Sequence, residues 1–234
     1  MASSEYSSQR LYLQIAEALA GLVKAGEVKV GERFAAEREL ATQFSVSRST
    51  IREAMIALEV SGLVEIRSGS GIYARTPSKH SHTLQAAEDT PGPFEVLEAR
   101  IMLESEAAAV AAERISNQEL HQLKQLLNSM KTAIDSGDIE EAERIDHAFH
   151  LLIVKATRNS ALTPIYEWLW QIRESSAVSQ QFHLKLRDKG STPRIQEHKQ
   201  VLDALMRRDG EAAKKAIKHH LTEVMNRLTE CSLV

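Results

Sequence analysis

The sequence predicts a mainly α-helical protein of two domains, and three observations indicate this fold class. Residues that favour helices (Ala, Leu, Glu and Lys) are abundant, whereas aromatic residues make up only 5% of the 234 residues. The one convincing β pattern is a short hairpin within residues 63–74. After Pro93, apolar residues recur with helical spacing almost to the end of the chain. A small α/β head followed by an all-α bundle accounts for this order.

Composition limits the classes of function that the chain can serve. Cys231 is the single cysteine, so a disulfide framework is excluded and a cytoplasmic location is expected. Because no apolar run approaches the ~20 residues that a membrane helix needs, no membrane partner is predicted. The net charge of -3 excludes a chain that is basic throughout. Any contact with nucleic acid must therefore come from a local cluster of arginines.

Two short helices joined by a tight turn are predicted in the head. The first, Ala36–Gln43, leads into the turn "SVS", whose Ser47 can cap the second helix. In the second helix, Arg48 and Arg52 lie one turn apart and are expected on the solvent side. Recognition helices place their N-terminal residues against base edges and phosphates. The DNA contacts predicted here are Ser47, Arg48, Ser49, Thr50 and Arg52.

A β-hairpin follows these helices. Its strands, Leu63–Ile66 and Ile72–Ala74, are separated by a Gly/Ser turn. The tip carries Arg67, Ser68 and Gly69, as the wing of a DNA-binding domain would. Arginines on a solvated face often serve only solubility, and that alternative applies to each arginine taken alone. The ordered combination of helix, turn, polar helix and hairpin is more specific, and it predicts a winged helix-turn-helix that binds double-stranded DNA.

The head resembles the N-terminal domain of the GntR family of bacterial transcription regulators, over about residues 8–75. The matching stretches are "VGERF-AAERELA", "F-VSRSTIREA" and "L-GLVEIRSGSGIYA". The resemblance implies that Arg38, Arg48, Arg52 and Gly69 hold DNA. Ala35 departs from the family pattern, which usually has a proline at this position. Without this proline the start of the first helix is less rigid, and no DNA contact is affected.

The predicted domains are 1–76, a winged helix-turn-helix, and 93–234, an all-helical domain. The linker between them, 77–92, contains prolines among small polar residues. In the second domain, breaks at Ser, Gly, Asn and Pro residues separate the predicted helices. These helices cover approximately 94–115, 117–136, 138–157, 161–182, 193–207 and 211–229.

A metal site is indicated in the second domain by "IDHAFH", residues 145–150. Asp146 and His150 are spaced i, i+4 and so project from one helix face. His198 and His220 lie on the apolar faces of two later helices, whereas the neighbouring His219 is expected to face water. Two interpretations remain open. Each histidine is a core residue hydrogen-bonded to a neighbour, or all four side chains bind one divalent ion, most suitably zinc, with nickel and manganese as the other candidates.

The second domain resembles the FadR-type effector domain (FCD) of many GntR regulators, over about residues 93–229. The resemblance implies that the metal ligands are Asp146, His150, His198 and His220, and that the ion holds the carboxylate of a small organic acid. It also implies that Arg100 binds the acid, although an ion pair with Glu104 at i+4 is an open alternative. Arg173 is a second candidate for the acid.

A narrower resemblance concerns the hexuronate-utilisation branch of these regulators. The stretches that carry it are "RLYLQIAEALAGLV", "ALEVSGLVEIRSGSGIY" and "GPFEVLEARIMLES". It implies a sugar acid as the effector.

Three functions compete for the whole chain. A metal-dependent hydrolase on the helical bundle lacks support, because the sequence has no HExxH motif, no phosphate-binding glycine loop and no G-x-S-x-G turn. An inert helical scaffold leaves the inward histidines unexplained. A transcription repressor that is not an enzyme explains both domains. It is expected to act as a homodimer on a palindromic operator and to be controlled by a small carboxylate effector.

Overall fold

The computed structural model describes residues 11–67, 69–76, 91–188 and 192–231. Over these residues the chain forms ten helices and one two-stranded hairpin, which confirms the mainly α-helical fold. None of the helices in the described ranges is long and apolar enough to cross a membrane. The elements are α1 Leu11–Lys24, α2 Glu37–Phe44, α3 Arg48–Val60, β1 Val64–Arg67, β2 Gly71–Ala74, α4 Pro93–Arg114, α5 Asn117–Asp135, α6 Ile139–Ala156, α7 Leu162–Ser175, α8 Ala177–Asp188, α9 Ile195–Met206 and α10 Gly210–Cys231.

Two compact units make up the chain. The first comprises the described residues from Leu11 to Phe94 together with Ser176–Phe182 and the end of α10 from Thr229. The second comprises Glu95–Ser175 and His183–Leu228. The predicted linker, 77–92, lies outside the described residues except for its last two, so its character stays a prediction.

The first unit contains the predicted winged helix-turn-helix. Helices α1 and α2 pack on α3, and apolar side chains spaced one helical turn apart fill the space between them. The hairpin pairs in the register Val64 with Ala74 and Arg67 with Gly71, which confirms the predicted wing. The fully buried side chains at the centre include Leu13, Leu19, Leu40, Ile51, Met55 and Leu58.

The start of α4 is held within the first unit by Glu53 of α3. The buried Glu53 carboxylate accepts a hydrogen bond from the backbone N–H of Phe94, at 2.9 Å. The Phe94 ring packs edge-to-face on Phe182, with 5.5 Å between ring centroids. At Gly92 a Cβ atom would lie 2.8 Å from the carboxylate carbon of Glu53, so glycine is needed for this close approach.

The second unit is a helical bundle whose core lies between α4, α5, α6, α9 and α10. Alanines of α4 face this core, and their small side chains let neighbouring helices approach closely. Gly210 contributes in the same way, because a Cβ atom there would lie 3.0 Å from the carbonyl oxygen of Ala109. A second apolar cluster joins α4 and α6 to α7 through Ala107, Val154, Tyr166 and Trp170.

The helix predicted over 161–182 is wrong, because two helices occupy this range. Helix α7 ends at Ser175, and α8 begins at Ala177. The hydroxyl of Ser176 accepts a hydrogen bond from the backbone N–H of Ser179, at 3.4 Å. Serine is among the preferred residues for capping a helix N-terminus, and Ser176 therefore starts a new helix. Apolar periodicity continues across this break, which is why the pattern alone concealed it.

Helix α5 begins at a capping box that is joined to a distant arginine. Ser116 and Glu119 each accept a backbone hydrogen bond from the other residue, at 3.2 and 2.8 Å. Both Glu119 oxygens also accept hydrogen bonds from the guanidinium of Arg158, each at 2.7 Å. These hydrogen bonds, those from Arg158 above all, lower the pKa of Glu119 to about 2.

Replacing Glu119 by Gln is expected to destabilise the protein at neutral pH. The Glu119 pKa falls from 4.5 to about 2 on folding, so the ionised carboxylate stabilises the fold fully above pH 4.5. This contribution is lost as the pH falls towards 2. Urea unfolding should therefore show a loss of about 1 kcal/mol at pH 7 and a smaller loss at pH 3. Asp135→Asn, which removes the exposed pair with Lys131, is the control and should cost less.

Candidate DNA interface and metal centre

The start of α3 presents a cluster of hydroxyl groups. Ser47 caps the helix by accepting a hydrogen bond from the backbone N–H of Thr50, at 3.1 Å, as predicted. Its hydroxyl also lies 2.7 Å from the hydroxyl of Ser49 and 2.8 Å from that of Thr50. Arg48 is exposed beside them. A helix N-terminus with hydroxyl and guanidinium donors suits phosphate oxygens and base acceptors.

A basic cleft lies between α2, α3 and the wing. It has a volume of about 440 Å³ and is lined by Arg38, Arg48, Arg67 and Gly69, all predicted DNA contacts. Arg67 pairs with Glu65 at 2.9 Å and lies over the Tyr73 ring, 4.4 Å from its centroid. The structure thus brings these four residues together, whereas the predicted contact Ser68 lies outside the described residues.

The expected exposure of Arg52 is wrong. Its side chain is 1% exposed, and its Nη2 atom lies 2.7 Å from Oε2 of Glu37 at the start of α2. Burial lowers the pKa of Arg52 and raises the pKa of Glu37, and their mutual attraction offsets this only in part. The prediction failed because the N-terminal turn of α2 covers this position of α3. Arg52 therefore joins the two helices, and its role as a DNA contact stays a prediction.

The four predicted metal ligands come together in the second unit. Asp146 and His150 come from α6, His198 from α9 and His220 from α10. One ligand atom of each residue lies within 4.8 Å of the others. The three histidines are at most 3% exposed, and His219 faces solvent as expected.

Each of the three imidazoles is oriented by a bond at its Nδ1 atom. His150 Nδ1 lies 2.6 Å from Oε2 of Glu104, and His220 Nδ1 lies 2.8 Å from Oε2 of Glu197. His198 Nδ1 lies 2.9 Å from the carbonyl oxygen of Arg194. Because carboxylate and carbonyl oxygens only accept, Nδ1 carries the proton in each ring. The Nε2 lone pairs are left for the shared centre, as in metal-bound histidines.

The contact between His198 and Asp146 tests whether the site fits a cation. His198 Nε2 lies 2.8 Å from Oδ1 of Asp146. In the neutral ring with a proton on Nδ1, both of these atoms are acceptors and repel each other. Burial lowers the pKa of His198, but Asp146 outweighs it and raises the pKa overall. A proton or a metal ion relieves the repulsion.

His150 distinguishes between the proton and the metal ion. Its buried Nε2 atom has no hydrogen-bond partner among the described residues, so a proton on His198 leaves this nitrogen unsatisfied. A divalent ion satisfies it together with the other ligands. Histidines that are merely hydrogen-bonded core residues do not explain this cluster, and the donor set fits a divalent metal.

Arg100 forms the ion pair with Glu104 that was the alternative to effector binding. The Arg100 side chain is buried, and its Nε atom lies 2.6 Å from Oε1 of Glu104. Burial alone would raise the pKa of Glu104, but Arg100 and His150 lower it to about 2. The Glu104 carboxylate thus connects the guanidinium to a metal ligand. The binding of an effector by Arg100 stays a prediction.

Arg173 lies near the same site on α7. It pairs with Glu143 at 3.0 Å, and its guanidinium lies 4.3 Å from the Trp170 ring centroid. Arg100 lies 5.2 Å from the same centroid. Burial lowers the pKa of Arg173 and so does the positive charge of Arg100, whereas Asp146 raises it. The two candidate effector residues therefore share Trp170 as a neighbour and lie within electrostatic range of the metal ligands.

Two histidines near these arginines were assigned no role from the sequence. His183 accepts a hydrogen bond at Nε2 from the Nε–H of Arg173, at 2.8 Å. His147 stacks on Trp170, with 4.3 Å between ring centroids, and its Nε2 has no hydrogen-bond partner among the described residues. Burial lowers the pKa of both rings. Contacts between α6, α7 and α8 create both environments, and the spacing of residues within single helices gave no signal of them.

A winged helix-turn-helix together with a helical domain that contains a candidate metal centre defines a class of ligand-responsive transcription regulators. Comparison with known families agrees. Residues 11–74 match the family described as "Bacterial regulatory proteins, gntR family", and residues 95–223 match the FCD domain. The chain belongs to the GntR family of DNA-binding transcription regulators and carries an FCD effector domain.

Several relatives match most of the chain. The Uxu operon transcriptional regulator of Escherichia coli K12 is 37% identical and covers 99% of this chain and 91% of its own length. The Exu regulon transcriptional regulator of the same strain is 36% identical, covering 93% and 84%. The regulator LutR of Bacillus subtilis 168 is 31% identical, covering 87% and 94%. The resemblance to the hexuronate-utilisation branch is thereby confirmed.

Solved structures agree with the fold. A GntR family member from Pseudomonas syringae pv. tomato DC3000 superposes with a TM-score of 0.51 at 23% identity, covering 94% of this chain and 85% of that one. Escherichia coli McbR/YncC gives a TM-score of 0.50 at 23% identity, covering 94% and 98%.

Arg48 and Arg52 are expected to respond differently to substitution. Arg48→Ala should weaken DNA binding by about 1–3 kcal/mol and relax base preference, with the melting temperature unchanged. Arg52→Met should instead lower stability by about 3 kcal/mol, because Glu37 is left buried without its partner. Gel shifts and thermal unfolding measure the two effects. Unchanged base preference in Arg48→Ala would contradict its assignment, and an unchanged melting temperature in Arg52→Met would contradict the buried pair.

Loss of His198 or His220 is expected to abolish metal binding. Elemental analysis of dialysed protein should find about one divalent ion per wild-type chain and almost none in His198→Ala or His220→Ala. His219→Ala is the matched control, because this neighbour of His220 is exposed. A chelator should lower the melting temperature of the wild type and of His219→Ala only, since binding to the native state alone stabilises it. Full metal content in both core variants would refute the site.

Proposed function

We propose that this regulator is a repressor whose operator binding is controlled by a small sugar acid held at a divalent metal ion. The observation that supports it most directly is the set of three inward imidazoles and one carboxylate, oriented by Glu104, Glu197 and the Arg194 carbonyl oxygen. Four protein ligands leave coordination positions open on a five- or six-coordinate ion. A carboxylate of the effector would occupy those positions.

Zinc is the metal we propose, and nickel and manganese are the other candidates. Imidazole nitrogen suits zinc and nickel, and the Asp146 carboxylate also suits manganese. Three nitrogen ligands argue against calcium, which takes oxygen ligands.

Arg100 and Arg173 are proposed to bind the acid. Their guanidinium groups both lie near the Trp170 ring and within electrostatic range of Asp146. An arginine can bind a carboxylate through two parallel hydrogen bonds. Two relatives are regulators of the Uxu operon and of the Exu regulon, and this relationship favours a hexuronate such as glucuronate or galacturonate.

A homodimer is proposed as the form that binds DNA. One chain presents a single recognition helix, α3, which reads one half-site in the major groove. Two-fold symmetry then implies a palindromic operator. Effector binding changes DNA affinity only if the acid binds with different affinity to the conformation that binds DNA and to the one that does not. Typical coupling energies are about 1–3 kcal/mol. Native mass spectrometry of the purified protein would report the dimer, the metal and any bound acid together.

A hydrolase on the helical bundle gains no support from the comparisons. The matched families are regulatory, and the relatives described above are named as regulators.

The effector is expected to change the fluorescence of Trp170. Trp168 is 54% exposed, so Trp168→Phe leaves the buried Trp170 as the single reporter, with Arg173 against its ring. Glucuronate or galacturonate should alter its emission in a saturable way, and glucose, which lacks the carboxylate, should not. A chelator should abolish the response. No response to either acid at millimolar concentration would argue against a hexuronate effector.

The repressor mechanism has its own readout. A duplex selected from a random pool by the wild-type protein should be released when the acid is added. His150→Ala should bind this duplex as tightly as the wild type does but show a reduced response to the acid. A full response in this variant would mean that the metal is only structural. Tighter DNA binding in the presence of the acid would contradict relief of repression.

A further inference from the structure

The cleft between the helix-turn-helix and the wing contains one more basic residue than the DNA contacts assigned so far. Arg33 lines this cleft together with Arg38, Arg48 and Arg67. Its side chain is exposed, and it forms no ion pair or hydrogen bond with any residue in the described ranges. An uncompensated arginine beside three others raises the local positive potential, which attracts a polyanion.

The backbone of Arg33 is fixed on the edge of the wing. Residues 31–34 run antiparallel to β2, and Arg33 pairs with Tyr73 in this arrangement. The Phe34 N–H donates to the Ile72 carbonyl oxygen, and the Gly31 N–H donates to the Ala74 carbonyl oxygen, both at 2.8 Å. The wing therefore has a third strand-like segment. Arg33 is placed by the wing and not by the recognition helix.

Gly71 provides the space that the Arg33 side chain occupies. A Cβ atom at Gly71 would be 2.9 Å from Cζ of Arg33 and closer still to its Nε, so the guanidinium lies directly over the glycine backbone. Gly71 also has a φ of +128°, a conformation that other residues rarely adopt. The absence of a side chain at Gly71 thus leaves room for the Arg33 guanidinium at this place in the cleft.

We propose that Arg33 binds a phosphate group of the DNA backbone and that Gly71 positions it to do so. Base edges are read by residues that enter a groove, such as those at the start of α3. Arg33 instead projects from the wing edge, where a phosphate can bind its guanidinium from the open side of the cleft. This contact rests on the DNA-binding function of the head and adds a residue that fixes register without reading sequence.

The salt dependence of DNA affinity tests this contact. Fluorescence anisotropy would measure the affinity of wild type and Arg33→Gln for two duplexes, one selected from a random pool by the wild type and one with its sequence scrambled. Each phosphate contact contributes about 0.9 to the slope of log affinity against log salt concentration. Arg33→Gln should therefore reduce the slope by about 0.9 on both duplexes and leave the ratio of their affinities unchanged.

Two further variants complete the test. Lys24→Gln removes the same charge at the exposed end of α1, outside the cleft, and should leave the slope unchanged. Gly71→Ala should reproduce the loss seen in Arg33→Gln and add nothing to it in the double variant, because both changes remove one contact. Circular dichroism would verify that Gly71→Ala is folded, and Arg33→Gln decides the question if it is not.

The outcomes separate the contact from the DNA-binding function. An unchanged slope in Arg33→Gln, or an equal loss in Lys24→Gln, would overturn the proposed contact while wild-type binding persists. A changed affinity ratio between the duplexes would also overturn it, because a base contact would then be indicated. If the wild type binds neither duplex, the DNA-binding function itself fails.

Discussion

The effector domain depends on one unfavourable contact, the approach of two acceptor atoms at its centre. Asp146 and His198 face each other at 2.8 Å although the proton of His198 is held on the opposite side of the ring by the Arg194 carbonyl oxygen. Three helices contribute ligands to this point, so the repulsion opposes their packing unless a cation is present. A metal ion bound here would link α6, α9 and α10 and could also hold the proposed ligand.

The DNA-binding head depends on a comparable constraint of a different kind. Arg52 and Glu37 are buried as a pair between α2 and α3, and the attraction between them offsets the cost of burial only in part. Such a pair contributes little net stability, but it requires one relative arrangement of the two helices. That arrangement brings Arg38 of α2 to the same cleft as Arg48 of α3. The buried pair thus relates the position of α2 to that of α3 on the surface proposed to contact DNA.

Much of the fold and the four candidate metal ligands could be predicted from the sequence, because both depend largely on the spacing of residues within single elements. The i, i+4 relation of Asp146 and His150, the serine cap at Ser47 and the Gly/Ser turn of the wing are each visible within a few residues. The positions of His198 and His220 followed from the apolar faces of their helices. The resemblance to a family then supplied the reason to group four residues from three helices.

The features that escaped prediction arise where separate elements meet. Arg52 has the spacing of a solvent-facing residue on α3, and only the docking of α2 buries it. His147 and His183 acquired their environments from α7, and the break at Ser176 interrupts a pattern that is apolar on both sides. Arg33 could not be assigned to the interface because its position depends on pairing with a strand 40 residues later. Spacing within one helix carries no information about these contacts.

The Glu104 carboxylate provides a way to couple the binding of a metal ion to the binding of an anion. Its two oxygens bond to Arg100 and to the imidazole of His150, so the two partners compete for its negative charge. A ligand that draws Arg100 away leaves more negative charge for His150, which makes that ring a better electron donor to the ion. An ion at the histidines and an anion at Arg100 would then each raise the affinity of the protein for the other, by the same factor. Such a regulator would respond most strongly when the metabolite and an available metal are present together, and scarcity of either one would weaken the response to the other.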